Sequence, residues 1–144
     1  MSRVVAGRSE GRAIVAGREM SSGCGEIVII DDSGNNLIQL TIDNRQNRYP
    51  RYSPDGEKII YCSFYEHPYA EIMMMNADGT GVVTVIDRAC AYRSFWSPKC
   101  DKILYARKHL KLFYSSVDAQ RARPDSEIVN SFCASLFLQC EEGR

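Results

Sequence analysis

The chain has 144 residues, and its 18 Lys and Arg balance its 18 Asp and Glu to a formal net charge of zero. A neutral chain lacks the bulk basic charge typical of nucleic-acid-binding proteins, so we expect no nucleic-acid partner. The longest apolar runs have four or five residues and are too short to span a bilayer, so we expect no membrane insertion. With 44% hydrophobic and 25% charged residues, the composition is typical of a globular domain.

Residues 4–41 predict a first unit of four short strands, at 4–6, 13–16, 26–30 and 37–41. The predicted strands are mostly apolar and β-branched, and the loops between them are rich in turn-forming residues. Such short runs bounded by Gly, Asp and Ser favour strands over helices.

A G-x-S-x-G motif, Gly7–Gly11, lies between the first two predicted strands. This motif forms the nucleophile elbow of α/β-hydrolases when a buried strand precedes it and a helix follows it. Residues 13–16 predict a strand, so we interpret Ser9 as part of a hairpin turn and expect no catalytic residue. The opening residues lack the apolar segment of an export signal, and the default expectation is a cytoplasmic protein.

Residues 49–86 predict a second unit that repeats the first at a period of about 44 residues. The segment Ser53–Tyr61 is identical to Ser97–Tyr105 at five of nine positions, and Glu71–Gly79 matches Glu26–Gly34 in its pattern. The Ser-Pro-Asp-Gly stretch that opens the first segment suits a type I turn. A period of this length is typical of four-stranded propeller blades.

Residues 92–118 predict a third, partial unit with strands at 94–97, 102–107 and 112–117. Its first turn has Lys and Cys where the second unit has Asp and Gly. Because a type I turn of this kind ends in a glycine conformation, Cys100 in the glycine position is expected to cost about 1 kcal/mol.

Residues 125–141 predict a C-terminal amphipathic helix and no further strand. Asp125 or Ser126 suits the N-cap, and Glu127 suits the first turn. Apolar residues then recur at helical spacing along one stripe: Ile128, Val129, Phe132, Cys133, Leu136 and Cys140.

The segment Phe64–Tyr69 predicts a loop between two strands of the second unit, with three aromatic rings, one imidazole and one carboxylate. Amphipathic aromatic side chains make contacts at low entropic cost, so we predict that Tyr65, His67 and Tyr69 bind a partner or ligand. The alternative is that the loop packs its rings on the neighbouring unit. The other histidine, His109, lies in a basic stretch that we interpret as a solvated turn.

The six cysteines include no C-x-x-C pair, which argues against a zinc site. The acidic loops at 31–34 and 76–79 do not continue as calcium-binding loops. We therefore expect no metal ion and no cofactor, and we interpret the cysteines as reduced, small apolar side chains. Arg45, Arg48 and Arg51 are interpreted as part of a solvated linker between units.

Two stretches of the second unit, Tyr52–Tyr61 and Glu71–Gly79, resemble the repeat of TolB-type β-propellers. In that family a W-S-P-D-G-x-x-I-x-F stretch is followed by E-I-y-v-m-n-x-D-G and a strand with leucine and threonine. Leu40-Thr41 resembles the last element, and Trp96-Ser97-Pro98 restores the tryptophan in the third unit. The resemblance covers roughly residues 4–118. It implies an all-β fold, a partial β-propeller of about three four-stranded antiparallel blades.

The family has six blades, so the resemblance also implies an open arc with two apolar end faces. Three arrangements remain open: a second copy closes the ring, the chain is a fragment of a longer protein, or the C-terminal helix covers one face. A fragment is our first expectation, because the third unit departs most from the repeat. TolB-type proteins act after export, which stands against the cytoplasmic default.

The resemblance implies a non-catalytic binding or scaffold module that contacts a protein or ligand through its rim loops, or a second copy through open blade faces. The alternative is the propeller portion of a larger enzyme, a prolyl-oligopeptidase-like peptidase or a propeller lyase, without its catalytic domain. A third hypothesis is a decayed copy with no selected activity.

Overall fold

The computed structural model describes residues 7–8, 14–19, 24–31, 33–66, 69–89, 94–107, 111–117 and 126–127. Within these ranges the chain is all-β, with twelve strands and no helix, and so it contains no helix suited to crossing a membrane. The first unit comprises β1 (Gly7–Arg8), β2 (Ile14–Glu19), β3 (Gly25–Ile30) and β4 (Ile38–Gln39). The second comprises β5 (Gln46–Tyr52), β6 (Lys58–Glu66), β7 (Tyr69–Asn76) and β8 (Val83–Ala89). The third comprises β9 (Ser94–Trp96), β10 (Lys102–Arg107), β11 (Lys111–Ser116) and β12 (Ser126–Glu127).

Consecutive strands within each unit pair antiparallel. A parallel bridge between Gly25 and Gln46 links β3 of the first unit to β5 of the second, so these two strands begin at the same edge. We call this edge the connection edge; it also carries the crossing segment 40–45, the end of β6 and the start of β7. The opposite edge, the turn edge, carries the turns 31–37, 53–57, 77–82 and 97–101.

The two faces of the second unit are buried against different neighbours. One face joins the first unit in a cluster of buried side chains: Ile27, Ile59, Tyr61 and Met75. The other face joins the third unit in a larger cluster, which includes Ile60, Cys62, Ile72, Ile103 and Tyr105. Successive residues of a strand point to opposite faces, so a strand buried on both faces is apolar almost without alternation. This explains the apolar run Ile59–Cys62.

The units approach each other closely where the first packs on β5. A Cβ atom built on Gly25 would lie 2.9 Å from the backbone oxygen of Asn47, closer than a side chain can come. Gly17 faces the same strand with more room, since its Cβ would lie 3.7 Å from that oxygen. A residue without a side chain is therefore required at Gly25.

The third unit departs from the predicted boundaries at its end. Ser126 and Glu127 pair with Tyr114 and Phe113 of β11 as a short fourth strand, so the prediction of a helix and of no further strand is wrong at these two residues. The free backbone groups along the edge of β11 favour such a pairing over an isolated helical turn. The rest of the predicted helix, with residues 4–6 and Ser9 of the first unit, lies outside the described residues.

Candidate binding site at the connection edge

Tyr65 lies near the end of β6 at the connection edge, and its side chain is 43% exposed. The predicted loop around it is mostly strand: β6 continues to Glu66 and β7 begins at Tyr69, where the two strands pair. Tyr65 lies at a bulge of β6, and the residues on either side of it pair with β7, so the ring is held within a strand and not on a long loop. The side chain of Tyr69 and all of His67 lie outside the described part of the chain.

The Arg45 side chain contacts both Tyr65 on β6 and Glu71 on the neighbouring strand β7. Its guanidinium carbon lies 5.7 Å from the centre of the Tyr65 ring, and Nη1 lies 2.7 Å from Oε2 of Glu71 on β7. These side chains come from the crossing segment, β6 and β7, and the sequence interpretation of Arg45 as a solvated linker residue missed the contact. Since both side chains of the ion pair are partly exposed, it orients Arg45 more than it stabilises the fold.

A chain of hydrogen bonds continues inward from Arg45 between the first two units. The Arg45 backbone N–H donates to Oδ1 of Asp43 at 3.1 Å, and Nδ2 of Asn47 donates to the same oxygen at 2.7 Å. Nδ2 of Asn47 lies 3.3 Å from Oγ1 of Thr41, whose hydroxyl donates to Oε2 of the buried Glu26. We call these six residues the rim network: Glu26, Thr41, Asp43, Arg45, Asn47 and Glu71.

Two buried polar atoms beside this network have no hydrogen-bond partner among the described residues. They are Oδ1 of Asn47 and Oγ of Ser63. Asn47 lies directly opposite Ser63, and Ser63 lies directly opposite Glu71, so the three side chains form one row on the same face of the sheet. A buried acceptor without a hydrogen bond lowers the stability of the fold. An additional hydrogen-bond donor at this row would therefore be favourable.

The pKa of Tyr61 on this face is raised to about 12, first by burial and then by the carboxylates of Asp43, Glu26 and Glu71, and the positive charge of Arg45 opposes these effects. On the other face, burial raises the pKa of the Cys62 thiol to about 12, and the neighbouring Ser94 side chain and the charge of Arg51 oppose this rise. Both groups are protonated at neutral pH, so neither acts there as a base or a nucleophile.

The aspartates of the turn edge form hydrogen bonds within the turns to which they belong. Asp31, Asp55, Asp78 and Asp101 each accept a hydrogen bond from a Ser or Thr hydroxyl within the turn, and this bond lowers the pKa of each carboxyl. Across the described ranges, no three His, Cys, Asp or Glu side chains are arranged to hold a metal ion.

Comparison with known proteins identifies the fold. No protein-family model and no characterised protein matches the sequence. Among solved structures, a putative TolB from Agrobacterium tumefaciens superposes with a TM-score of 0.71 at 19% identity, covering 85% of this chain and 48% of that one. TolB from Acinetobacter baumannii gives a TM-score of 0.67 at 18% identity, covering 78% and 29%. The fold is a partial TolB-type β-propeller.

The propeller likeness extends beyond TolB itself. The β-propeller domain of the Trilobed protease from Pyrococcus furiosus superposes with a TM-score of 0.59 at 19% identity, covering 84% of this chain and 41% of that one. The chain thus spans less than half the length of each of these three structures. The connection edge corresponds to one rim of the propeller, and the rim network lies between its first two units.

The sequence placed Tyr65 at this rim but did not indicate the residues around it. The sequence did contain one indication of these residues, because Glu26 and Glu71 occupy equivalent positions in the repeat. Their partners Thr41 and Arg45 lie in the crossing segment, whose path depends on how the two units pack.

Proposed function

We propose that the chain is a non-catalytic protein-binding module that contacts its partner through the rim around Tyr65. The observation that carries this proposal is an exposed aromatic side chain that contacts Arg45 of the partly buried rim network. Tyr65 is 43% exposed, and Ile42 in the adjacent crossing segment is 84% exposed. We assign His67, which follows β6 in the chain, and Tyr69, the first residue of β7, to the same proposed surface.

The physical basis is preorganisation. An aromatic ring on a paired strand loses few rotamers when a partner covers it, so more of the contact energy appears as affinity. The Arg45 guanidinium next to the ring and the Glu71 carboxylate behind it restrict the ring further. A rigid, exposed aromatic side chain on the same edge as an exposed aliphatic residue is typical of a protein interface.

The experiment captures the partner at the rim and then measures affinity. A photo-crosslinking amino acid is placed at Ile42 in the full chain, and a second preparation carries it at Asn35 on the turn edge. We expect a protein of the source cell to crosslink at the first position and not at the second. With that protein purified, Tyr65→Ala is expected to weaken binding about tenfold, because a well-packed interface tyrosine contributes more than 1 kcal/mol. Tyr69→Ala is expected to act in the same direction.

The matched control is Leu37→Ala, which removes a side chain of similar exposure, 47%, from the turn edge. It should leave the affinity unchanged, and all three variants should keep the unfolding temperature of the parent chain. Equal crosslinking at both edges, or an affinity that is insensitive to both tyrosines, would contradict the proposal.

The likeness to the propeller domain of a protease supports a second candidate, the propeller portion of a larger enzyme. It is tested by the coding sequence that flanks this chain. A strand followed by G-x-S-x-G and a helix in that sequence would favour the enzyme; its absence would leave the binding module.

A further inference from the structure

We infer that the rim network binds a basic side chain, a lysine or arginine, of the partner protein. This inference rests on the proposed function. Four observations support this inference: the charge of the network, its unsatisfied acceptor, its accessibility at Asp43 and its apolar border.

The rim network is net negative. It contains the three carboxylates of Glu26, Asp43 and Glu71 against the guanidinium of Arg45. The balance stays negative when Arg18, which lies directly opposite Glu26 on β2, is also counted. Arg45 forms its ion pair with Glu71, and within the described part of the chain no basic side chain forms an ion pair with Glu26 or Asp43. Carboxylates gathered between packed sheets repel one another, and an added positive charge relieves this repulsion.

The orientation of Asn47 leaves an acceptor inside this negative cluster. Its Nδ2 donates to Asp43 at 2.7 Å, so a reversed amide would place oxygen against a carboxylate oxygen. Oδ1 is therefore the atom without a partner, although the side chain is completely buried. Because Oδ1 and Nδ2 share one carbon, the free acceptor lies within about 5 Å of the Asp43 carboxylate.

A basic group matches both features. Lysine offers three N–H donors and arginine five, and neither offers an acceptor, so a group that pairs with Asp43 retains further donors. One of them reaches the buried Oδ1 of Asn47 when the side chains that cover this atom move aside. Asp43 is exposed and meets the ligand first. Ile42 and the Tyr65 ring lie on the same edge and suit the apolar stem of the incoming side chain or its aliphatic neighbours.

The test uses an end-blocked pentapeptide, Gly-Ile-Arg-Ile-Gly, and a matched peptide with neutral citrulline in place of arginine. Each is titrated into the ¹⁵N-labelled full chain, and the backbone amides of residues 41–47 and the side-chain amide of Asn47 are followed by NMR. We expect the arginine peptide, and its lysine analogue, to shift these signals with an affinity about tenfold above that of the citrulline peptide. The affinity should fall as salt is raised.

Two variants locate the charge. Asp43→Asn should weaken arginine-peptide binding about fivefold, because it removes the accessible carboxylate. Asp78→Asn, an equally conservative change on the turn edge, should leave both affinities unaltered.

The outcomes separate this inference from the proposed function. Equal binding of the arginine and citrulline peptides at the rim would overturn the inference that the partner supplies a basic side chain. It would not contradict the proposal that the rim binds a protein. No shift with any peptide would also overturn it and would assign the free acceptor of Asn47 to a bound water; the crosslinking experiment would then judge the proposed function on its own.

Discussion

Cys100 adopts a backbone φ of +59° at the position that the second unit fills with Gly56, whose φ is +75°. The turn keeps its hydrogen bond from the Cys100 N–H to the oxygen of Ser97, as Gly56 does to Ser53. The left-handed conformation expected from the sequence is therefore present. The turn is further supported by Asp101, which accepts the Ser97 hydroxyl at 2.7 Å in the role that Asp55 has for Ser53.

At the residue scale, we predict that Cys100→Gly is more stable than Cys100→Ala by about 1 kcal/mol, because both lose the thiol and only alanine keeps a Cβ in the left-handed region. Urea unfolding of the two variants measures the difference. Lys99→Gly, in the same turn but without a positive φ, serves as the control and should be destabilising. If Cys100→Gly proved no more stable than Cys100→Ala, the turn would not have this conformation in solution.

At the scale of elements, the contact between the first unit and β5 depends on a glycine. The parallel bridge from Gly25 to Gln46 brings two backbones so close that a methyl group on Gly25 would overlap the oxygen of Asn47. This contact also positions Asn47 for the rim network, so the candidate site forms only when the two units are packed together.

We predict that Gly25→Ala destabilises the chain by about 2 kcal/mol, since a backbone atom must move to admit the methyl group. Gly17→Ala is the matched change: it lies on β2 against the same strand, where a methyl group meets only ordinary contacts. Its effect should be within about 0.5 kcal/mol of zero. Thermal unfolding distinguishes the two, and equal stabilities would exclude the close approach of the two units.

For the whole molecule, the arc presents apolar surface to solvent. Four side chains on the outer strands and turns are about half exposed: Leu37, Ile38, Val82 and Val83. Val82 and Val83 belong to the middle unit, so these side chains do not measure the end faces of the arc. If each end face carries on the order of 500 Å² of apolar surface, covering it is worth roughly 12 kcal/mol before entropy is counted. This approaches the total stability of an ordinary domain, about 5–15 kcal/mol.

We therefore predict that the purified chain self-associates. Light scattering at increasing concentration should give a mass that rises above the 16.3 kDa of the monomer, with a dimer expected if two arcs close one ring. A fluorescent dye that binds apolar surface should respond at low concentration and lose signal on association. A constant monomer mass without dye binding would show that the faces are already covered within the chain.

The sequence by itself determined most of the described strands and the turns between them, but not the ends of β6 and β7 or the short strand β12. The runs 26–30, 58–63, 71–76 and 102–107 lie within observed strands, because β-branched and apolar residues between Gly and Asp turns restrict each segment locally. The repeat period then indicated four-stranded units, and the quoted motifs indicated the propeller.

Only the tertiary structure decided which side chains meet. Glu26, Arg45 and Glu71 are far apart in the sequence, and nothing local brings them to one edge. The close packing at Gly25 and the path of residues 40–45 bring them together. Hydrogen bonds between units depend on distances of tenths of an ångström, which arise from the packing of whole sheets and are not encoded in any one segment.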